Sequence, residues 1–513
     1  MIETTKAGQA GFHCLEYSGR KFVYVSRTGD LMEPEPIAFE ALRLVEQGVS
    51  MTGAASALAQ QFGLEAAGEC MAQIEGFLDI GYAEDEPRLG EEGLSREIDS
   101  YLSHKPRNLM LLVTEACNLA CTYCYEEIQG VHKRATMMTV EHARQLIDRY
   151  LEDNGDRDGA TITFFGGEPL LNERVLRDGV AYAKQRGEEL GKAIDFTMTT
   201  NLTLLTEEHA EFLAQNRFHV MVSLDGDREA NDRYRRTVKG EGTYDTVVAN
   251  LQILIAAMKR HGVRLPKIRA TMTAENTDRR AIEEHLRSLG TPLVMVGDTH
   301  GTVHAGKAEH DVKQEDGELE EKIDERRREV EHQLAALDAA PDGPMTLEQG
   351  VLDALRKVHG EVVRPEPHAK VTPQLCGVCR NMRAVTPKGD TYPCHRFVGM
   401  EAFNMGNMLD GTEDPEKKRR FYERVLDVYE DHCSKCWARH LCGGVCSWYQ
   451  ATPEGEILEP EQEFCDGLRA GYEQALGIYA TALTRYPRAF ERITEATSDS
   501  VGGCSSQPLS AER

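Results

Sequence analysis

The chain has 513 residues, 28% of them charged, and its 59 Lys and Arg against 85 Asp and Glu give a formal net charge of −26. That balance excludes a nucleic-acid backbone as the main partner, because phosphate contacts need a basic footprint, and no apolar run approaches the roughly 18 residues that a membrane span requires. Fourteen cysteines behind an N-terminus, MIETTKAGQAGF, that lacks the basic and apolar regions of a secretion signal are expected to be metal ligands in a reducing cytoplasm, not disulfides.

Roughly two to four domains are expected from the length. Residues 10–88 read as a small module: FHCLEY and KFVYVS are strand-like runs around Ser18-Gly19, and apolar residues recur at helical spacing over 37–47, 52–62 and 65–80. Two strands and three helices predict a winged-helix-like unit. Cys14 and Cys70, without close cysteine neighbours, are expected to be small buried hydrophobes. From residue 84 the chain is charged and punctuated by Gly and Pro, and 89–106 reads as a linker with one helical turn.

Strand patterns then alternate with helical ones over 107–300. The strands fall at 108–114, 160–165, 193–200, 219–224, 267–273 and 293–296, and the helices at 139–152, 174–189, 207–215, 244–261 and 279–289. This order predicts an α/β fold with a parallel sheet, helices outside, and ligands at the C-terminal ends of the strands. Residues 301–370 read as a helical bridging region in which 317–338 is an exposed charged helix. His300, His304 and His310 lack any accompanying ligand motif, so no metal is expected there. Residues 371–480 are cysteine-rich, and 481–513 read as a helix end and a Gly/Ser-rich tail in which Cys504 is a free thiol.

The first strand runs into LLVTEACNLACTYCYE, which spaces Cys117, Cys121 and Cys124 as CxxxCxxC. Three thiolates cannot complete a four-ligand zinc site, but they suit three corners of a [4Fe-4S] cluster with one iron left open. The second strand ends in Gly166-Gly167-Glu168-Pro169, where the glycines permit a tight turn or close approach of a ligand to the backbone. The third ends in Thr199-Thr200-Asn201. The fourth ends in Ser223-Leu224-Asp225-Gly226, followed by Asn231-Asp232 and Arg235. Between Cys376 and Cys465 eight cysteines follow the pattern CxxC-x9-G-x4-C, then CxxCx5CxxxC, then a final Cys. Eight thiolates suffice for two iron-sulfur clusters or two zinc sites.

These motifs resemble the radical S-adenosylmethionine (SAM) superfamily, whose cluster loop CxxxCxφC carries an aromatic at φ, here Tyr123. The resemblance implies a partial (β/α)6 barrel and a first cluster whose open iron chelates S-adenosyl-L-methionine. It assigns Gly166, Gly167, Glu168 and Pro169 to the SAM amino group, and Thr200 and Asn201 to a TNG-type strand end in which Leu202 replaces the glycine. Ser223 and Asp225 would lie near the ribose and carboxylate, with Arg235 as a carboxylate contact and Arg233 and Arg236 as alternatives. Asn231 stands where His is frequent. The C-terminal cysteines resemble the SPASM extension of peptide maturases. There Cys376, Cys379, Cys394 and Cys446 would hold one auxiliary cluster, and Cys433, Cys436, Cys442 and Cys465 the other, for three [4Fe-4S] clusters in all.

Residues 10–88 resemble the precursor-peptide recognition element of such enzymes, in which a leader peptide adds a strand to a sheet edge. The implied partners are a ribosomal precursor peptide or small protein with a leader segment, and an electron donor such as ferredoxin or flavodoxin. The implied activity is oxidoreductase-type cross-linking by a 5′-deoxyadenosyl radical, with a Cys thioether as the expected bond. Carbon-carbon or carbon-oxygen chemistry, such as cyclophane or formylglycine formation, is the alternative, and an iron-sulfur peptide-binding or electron-transfer protein is the non-enzymatic one. His395 follows Cys394 where sulfatase-maturing relatives carry an aspartate base, and is the candidate catalytic base here.

Overall fold

At the N-terminus Ser18 and Gly19 both take positive φ, 49° and 74°, the requirement of a two-residue hairpin turn whose twist matches its strands. The turn joins β1 (Phe12–Tyr17) to β2 (Arg20–Val25), which pair antiparallel from Phe12↔Val25 to Tyr17↔Arg20. A third strand, β3 (Leu31–Met32), extends the sheet beside β2; two residues are too few for a readable alternation. α1 (Pro36–Glu46), α2 (Met51–Phe62) and α3 (Leu64–Asp79) cover one face of this sheet, burying Phe12, Val23, Val25, Phe39, Leu42 and Leu58. The computed structural model from which these elements are taken describes residues 11–79, 90–273, 275–276, 278–291, 294–298, 316–343, 345, 347–364, 366, 368 and 382–495. Cys376, Cys379, Cys504, His300, His304 and His310 lie outside the described residues.

Where a linker with one helical turn is expected, residues 90–103 form a continuous helix, α4 (Gly90–Ser103). Its apolar residues Leu94, Ile98, Tyr101 and Leu102 recur at helical spacing and join a core with the C-terminal region. The charged residues between them mask this stripe in a scan of composition.

The parallel sheet follows in chain order: β4 (Asn108–Thr114), β5 (Gly159–Gly166), β6 (Ala193–Thr200), β7 (His219–Ser223), β8 (Lys267–Met272) and β9 (Val294–Asp298), each parallel to the next. Between them run α5 (Tyr125–Ile128), α6 (Val140–Asn154), α7 (Glu173–Leu190), α8 (Glu207–Gln215), α9 (Arg228–Tyr234), α10 (Tyr244–Arg260) and α11 (Arg279–Ser288). Thr139, Thr206 and Asp278 cap α6, α8 and α11 by accepting from backbone N–H groups of their first turns. The expected α/β partial (β/α)6 arrangement is present. Alternate strand residues such as Ile162, Phe164, Phe196, Val220 and Ile268 face the helices, which leaves the other face for the site.

The sheet does not stop at β4. β10 (Met382–Val385), from the cysteine-rich region, pairs parallel with β4, and β11 (Thr391–Tyr392) pairs antiparallel with β10, for the order β11-β10-β4-β5-β6-β7-β8-β9. The C-terminal region is thus bonded directly to the strand that launches the cluster loop. It continues through α14 (Pro415–Asp431), α15 (Arg439–Cys442), α16 (Ser447–Gln450) and α17 (Gln462–Arg485), with α12 (Asp316–Ala339) and α13 (Gln349–Val362) before β10. α4 packs on α14, where Tyr101 and Tyr422 stack with ring centroids 5.1 Å apart.

Two further expectations are corrected. α12 is not simply exposed: Val330, Leu334 and Leu337 are buried against the second face of the N-terminal hairpin and against α17. Residues 487–495, expected as the end of a helix and a tail, form a separate helix, α18 (Pro487–Glu495), because Pro487 cannot continue α17. Ala489 and Ile493 of α18 are buried in the same cluster. The hairpin is therefore sandwiched, with Leu15, Tyr17, Phe22 and Tyr24 facing α12, α13 and α17. Gly477 makes this possible, since a Cβ there would come within 2.2 Å of the Tyr17 ring.

Candidate active site

The cluster loop leaves β4 at Thr114 and is clamped from both sides. Gly167 N donates to Thr114 O at 3.1 Å and Glu168 N to Ala116 O at 3.0 Å. A Cβ on Gly166, whose φ is 123°, would lie 2.0 Å from Thr114 O, and one on Gly167 would lie 2.2 Å from Ala116 O. The glycine pair thus serves close approach of the loop's own backbone, a nearer task than approach of a ligand. On the other side Ala120 N donates to Arg236 O at 2.8 Å. Within the loop Leu119 N donates to Cys117 Sγ at 3.5 Å. Burial pushes the Cys117 and Cys124 thiols up to about 12 and raises Cys121 as well, opposed there by the Arg235 charge. Thiols held protonated by burial become thiolates when a multivalent cation arrives.

Glu168 is fully buried. Its Oε1 accepts from Leu170 N at 3.1 Å and Thr200 Oγ1 at 2.8 Å, and its Oε2 from Asn201 N at 2.7 Å. Burial raises its pKa and these donors oppose the shift. A carboxylate offers about four lone-pair positions, so capacity remains for one further donor. Asn201 Nδ2 donates to Asn118 Oδ1 at 3.0 Å and approaches Cys117 Sγ at 3.8 Å. Three strand ends and the cluster loop are thereby joined in one network. Pro169 opens the short helical turn that follows. Leu202, in place of the usual glycine, keeps the left-handed backbone with φ 63°, its carbonyl held by Asn250 Nδ2 at 2.9 Å.

The fourth strand end forms a second network. The Tyr123 hydroxyl donates to Asp225 Oδ2, Thr271 N donates to Asp225 Oδ1 at 2.9 Å, and Arg235 Nη1 donates to the Tyr123 oxygen at 2.8 Å. Burial raises the Asp225 pKa, opposed first by Arg235. Arg235 is buried, whereas Arg233 pairs with Glu229 and the Arg236 guanidinium donates to Asp232 O on the surface, so of the three arginines Arg235 reaches the site. Ser223 is half-buried at the end of β7. Asn231, where His is frequent, donates to Asp232 and to Thr243 Oγ1 at 3.0 Å, and its own oxygen accepts from Asp225 N at 3.5 Å; it holds the loop's shape.

Cys433, Cys436, Cys442 and Cys465 line one small cavity together with Arg469. Arg469 Nη1 approaches Cys436 Sγ at 3.9 Å, and Lys357 Nζ donates to Cys442 O at 3.4 Å. Cys394 and Cys446 lie in a different hydrophobic core, with Trp448 and with Tyr125 from the end of the cluster loop. His395 packs on Phe165 at 4.7 Å and Tyr125 at 6.0 Å. Its Nδ1 is buried and has no hydrogen-bond partner among the described residues. Burial, then Arg396 and Arg269, lower its pKa to about 3. Arg269 and Arg396 went unremarked in the sequence, as did Asn118. The signal for Arg269 was available: in KIRATM, Lys267, Arg269 and Thr271 alternate with the outward Ile268 and Ala270.

Residues 111–296 match the Radical SAM superfamily. The chain carries a radical SAM domain. It is similar to an uncharacterized protein of Archaeoglobus fulgidus, 25% identical over 433 residues that cover 82% of this chain and 95% of that one. It is also similar to the serine-type anaerobic sulfatase-maturating enzyme of Bacteroides thetaiotaomicron, 26% identical over 380 residues that cover 69% of this chain and 86% of that one. Among solved structures, native anSMEcpe with bound AdoMet and Cp18Cys peptide superposes with a TM-score of 0.55 at 18% identity over 76% of this chain and 99% of that one, a likeness of fold. A radical SAM domain implies a [4Fe-4S] cluster and SAM. The donor set fits them: three half-buried thiols on one clamped loop, spare acceptor capacity on Glu168, and Tyr123, Asp225 and Arg235 beside Cys121.

Proposed function

We propose that the protein is a radical SAM peptide maturase, an oxidoreductase that closes a Cys thioether cross-link in a ribosomally synthesised peptide or small protein. The observation that carries this reading is the convergence of four cysteines, Cys433, Cys436, Cys442 and Cys465, on one cavity outside the residues that match the radical SAM family. Four thiols suit a fully ligated auxiliary cluster. Cys376, Cys379, Cys394 and Cys446 are assigned to a second. When bound, the first cluster and SAM supply a 5′-deoxyadenosyl radical that abstracts a hydrogen from an unactivated carbon of the peptide.

This chain's residues orient that chemistry. Glu168, Asn201, Ser223, Asp225 and Arg235 would hold the polar groups of SAM, and Tyr123 would support the cluster loop beside it. The N-terminal module receives the leader segment along the edge of its sheet, where β3 has no further strand partner among the described residues. A ferredoxin or flavodoxin supplies the electron.

Similarity to a serine-type sulfatase-maturating enzyme favours a second reading, formylglycine formation. Against it, His395 stands where that chemistry places an aspartate base, and a ring held near 3 is a weak proton acceptor at neutral pH.

The test uses anaerobically reconstituted protein. About twelve irons in the wild type and about eight in the Cys117→Ala/Cys121→Ala/Cys124→Ala variant are expected for three four-iron clusters. With dithionite, SAM and a Cys-bearing peptide encoded beside the gene, deoxyadenosine should form and the peptide should lose two hydrogens and one alkylatable thiol. Loss of hydrogens with the thiol intact refutes the thioether, and no deoxyadenosine refutes the enzyme.

A further inference from the structure

The stretch Arg233–Lys239, RYRRTVK, holds four cations and no carboxylate in a chain whose net charge is −26. Arg235 turns inward to the site, and the residues after it form a small hairpin. Arg236 bridges Gly242, Thr237 N donates to Glu241 O at 2.9 Å, and Gly240 N donates to Thr237 O at 2.8 Å with Gly240 at a φ of 85°. This hairpin lies against the cluster loop: Ala120 N donates to Arg236 O at 2.8 Å, and Leu119 bridges Thr237. Ala120 and Thr122, on either side of Cys121, are exposed, so the loop reaches the surface beside the hairpin. The tip presents Val238, 71% exposed, between the exposed Arg236 and Lys239. Neither cation forms a salt bridge among the described residues, and the Arg236 guanidinium bonds only the Asp232 carbonyl. Even with Glu241 counted, the hairpin stays positive. One exposed valine is ordinary; this one stands between two unpaired cations on the surface bonded to the residues between Cys117 and Cys121.

We propose that the hairpin tip, Arg236, Val238 and Lys239, is the docking surface for the electron donor, and that the donor is an acidic flavodoxin. The inference rests on the function proposed above, which needs one electron at the first cluster, and gives the donor its place of binding. Electron transfer weakens steeply with distance, so the donor must bind where the loop carrying Cys117 and Cys121 meets solvent. Two unpaired cations on an otherwise acidic molecule steer an acidic protein to that face and away from the rest of the surface. Val238 suits the apolar dimethylbenzene edge that a flavin can present. The flavin hydroquinone anion gives up one electron and leaves as the neutral semiquinone, and that electron reduces the cluster of Cys117, Cys121 and Cys124 by one. No proton and no further reagent is required.

The experiment mixes photoreduced acidic flavodoxin with anaerobically reconstituted holoenzyme in a stopped-flow spectrometer. Binding of oxidised flavodoxin is measured separately by biolayer interferometry, a readout that needs no turnover. At low ionic strength Val238→Glu/Lys239→Glu should slow hydroquinone oxidation and weaken binding, each about tenfold, the low end of what electrostatic steering supplies. Lys239→Glu alone should show part of that loss. The wild-type rate should fall as salt passes about 0.1 M, where the screening length is about 10 Å, and variant and wild type should converge. Lys259→Glu, the same change of charge at the exposed end of α10, should behave as wild type. Deoxyadenosine formed with dithionite should be equal in all these proteins, which shows that the SAM site is intact. Unchanged binding and rate in the double variant overturn the proposal, as does an equal loss in Lys259→Glu, which would make the effect one of total charge. Reduction by an acidic [2Fe-2S] ferredoxin and not by flavodoxin overturns the choice of donor. No deoxyadenosine with dithionite in the wild type overturns the enzyme reading itself.

Discussion

Arg235 Nη1 donates to the Tyr123 hydroxyl at 2.8 Å while that hydroxyl donates to Asp225, so a residue of the cluster loop is held between the cation and the anion of the fourth strand end. In Arg235→Gln the buried Asp225 carboxylate loses its nearest positive charge. Its pKa should rise further and the loop should loosen. We expect SAM affinity to fall at least about tenfold and stability to fall by about 3 kcal/mol, the scale for breaking one partner of a buried charge network, measured by equilibrium dialysis and denaturant titration. Unchanged affinity would remove Arg235 from the SAM site.

Gly166→Ala should remove the first cluster and spare the others. Its Cβ would stand 2.0 Å from Thr114 O at a φ of 123°, which no rotamer relieves. Iron content should fall from about twelve to about eight per chain. Gly191→Ala, also at positive φ but facing open space, should cost only about 1 kcal/mol and no iron.

Leu202 holds a left-handed φ of 63° with its side chain fully buried. Leu202→Gly relieves about 1 kcal/mol of backbone strain but removes a buried leucine worth about 3 kcal/mol with its cavity term. A net loss of about 2 kcal/mol is expected in urea unfolding. A stabilised variant would mean that strain outweighs packing at this strand end.

His13 ties the N-terminal hairpin to the C-terminal region. Its ring bonds Glu46 at 2.6 Å and Glu473 at 2.8 Å and stacks on Trp437 at 4.0 Å. Burial lowers its pKa, but the two carboxylates outweigh burial and raise it from 6.5 to about 9. A folded-state value above the unfolded one means that this stabilisation is complete below pH 6.5 and is lost as pH rises through about 9. The melting temperature should therefore fall across that window, with a change in Trp437 fluorescence, and His13→Gln should flatten the profile.

Much of the molecule was legible from periodicity and spacing. The strands 108–114 and 193–200 and the helix 207–215 have the boundaries that apolar alternation and helical recurrence give them, since each must bury one face against its neighbours. The motifs stood at the ends of those strands because a parallel sheet gathers its loops on one side. Elements stabilised from far along the chain were not legible. β10 is four residues that become a strand by bonding to β4, and α4 is a helix because α14 covers its stripe. The same holds for chemistry. The number and spacing of the cysteines announce metal ligation, while the choice of Arg235 over its two neighbours depends on distances across strands that no local pattern encodes. The sequence by itself determined the parallel strands of the central sheet and the spacing of the candidate ligands; only tertiary packing decided which side chains share a buried site, because charge pairing and desolvation act through space between segments remote in the chain.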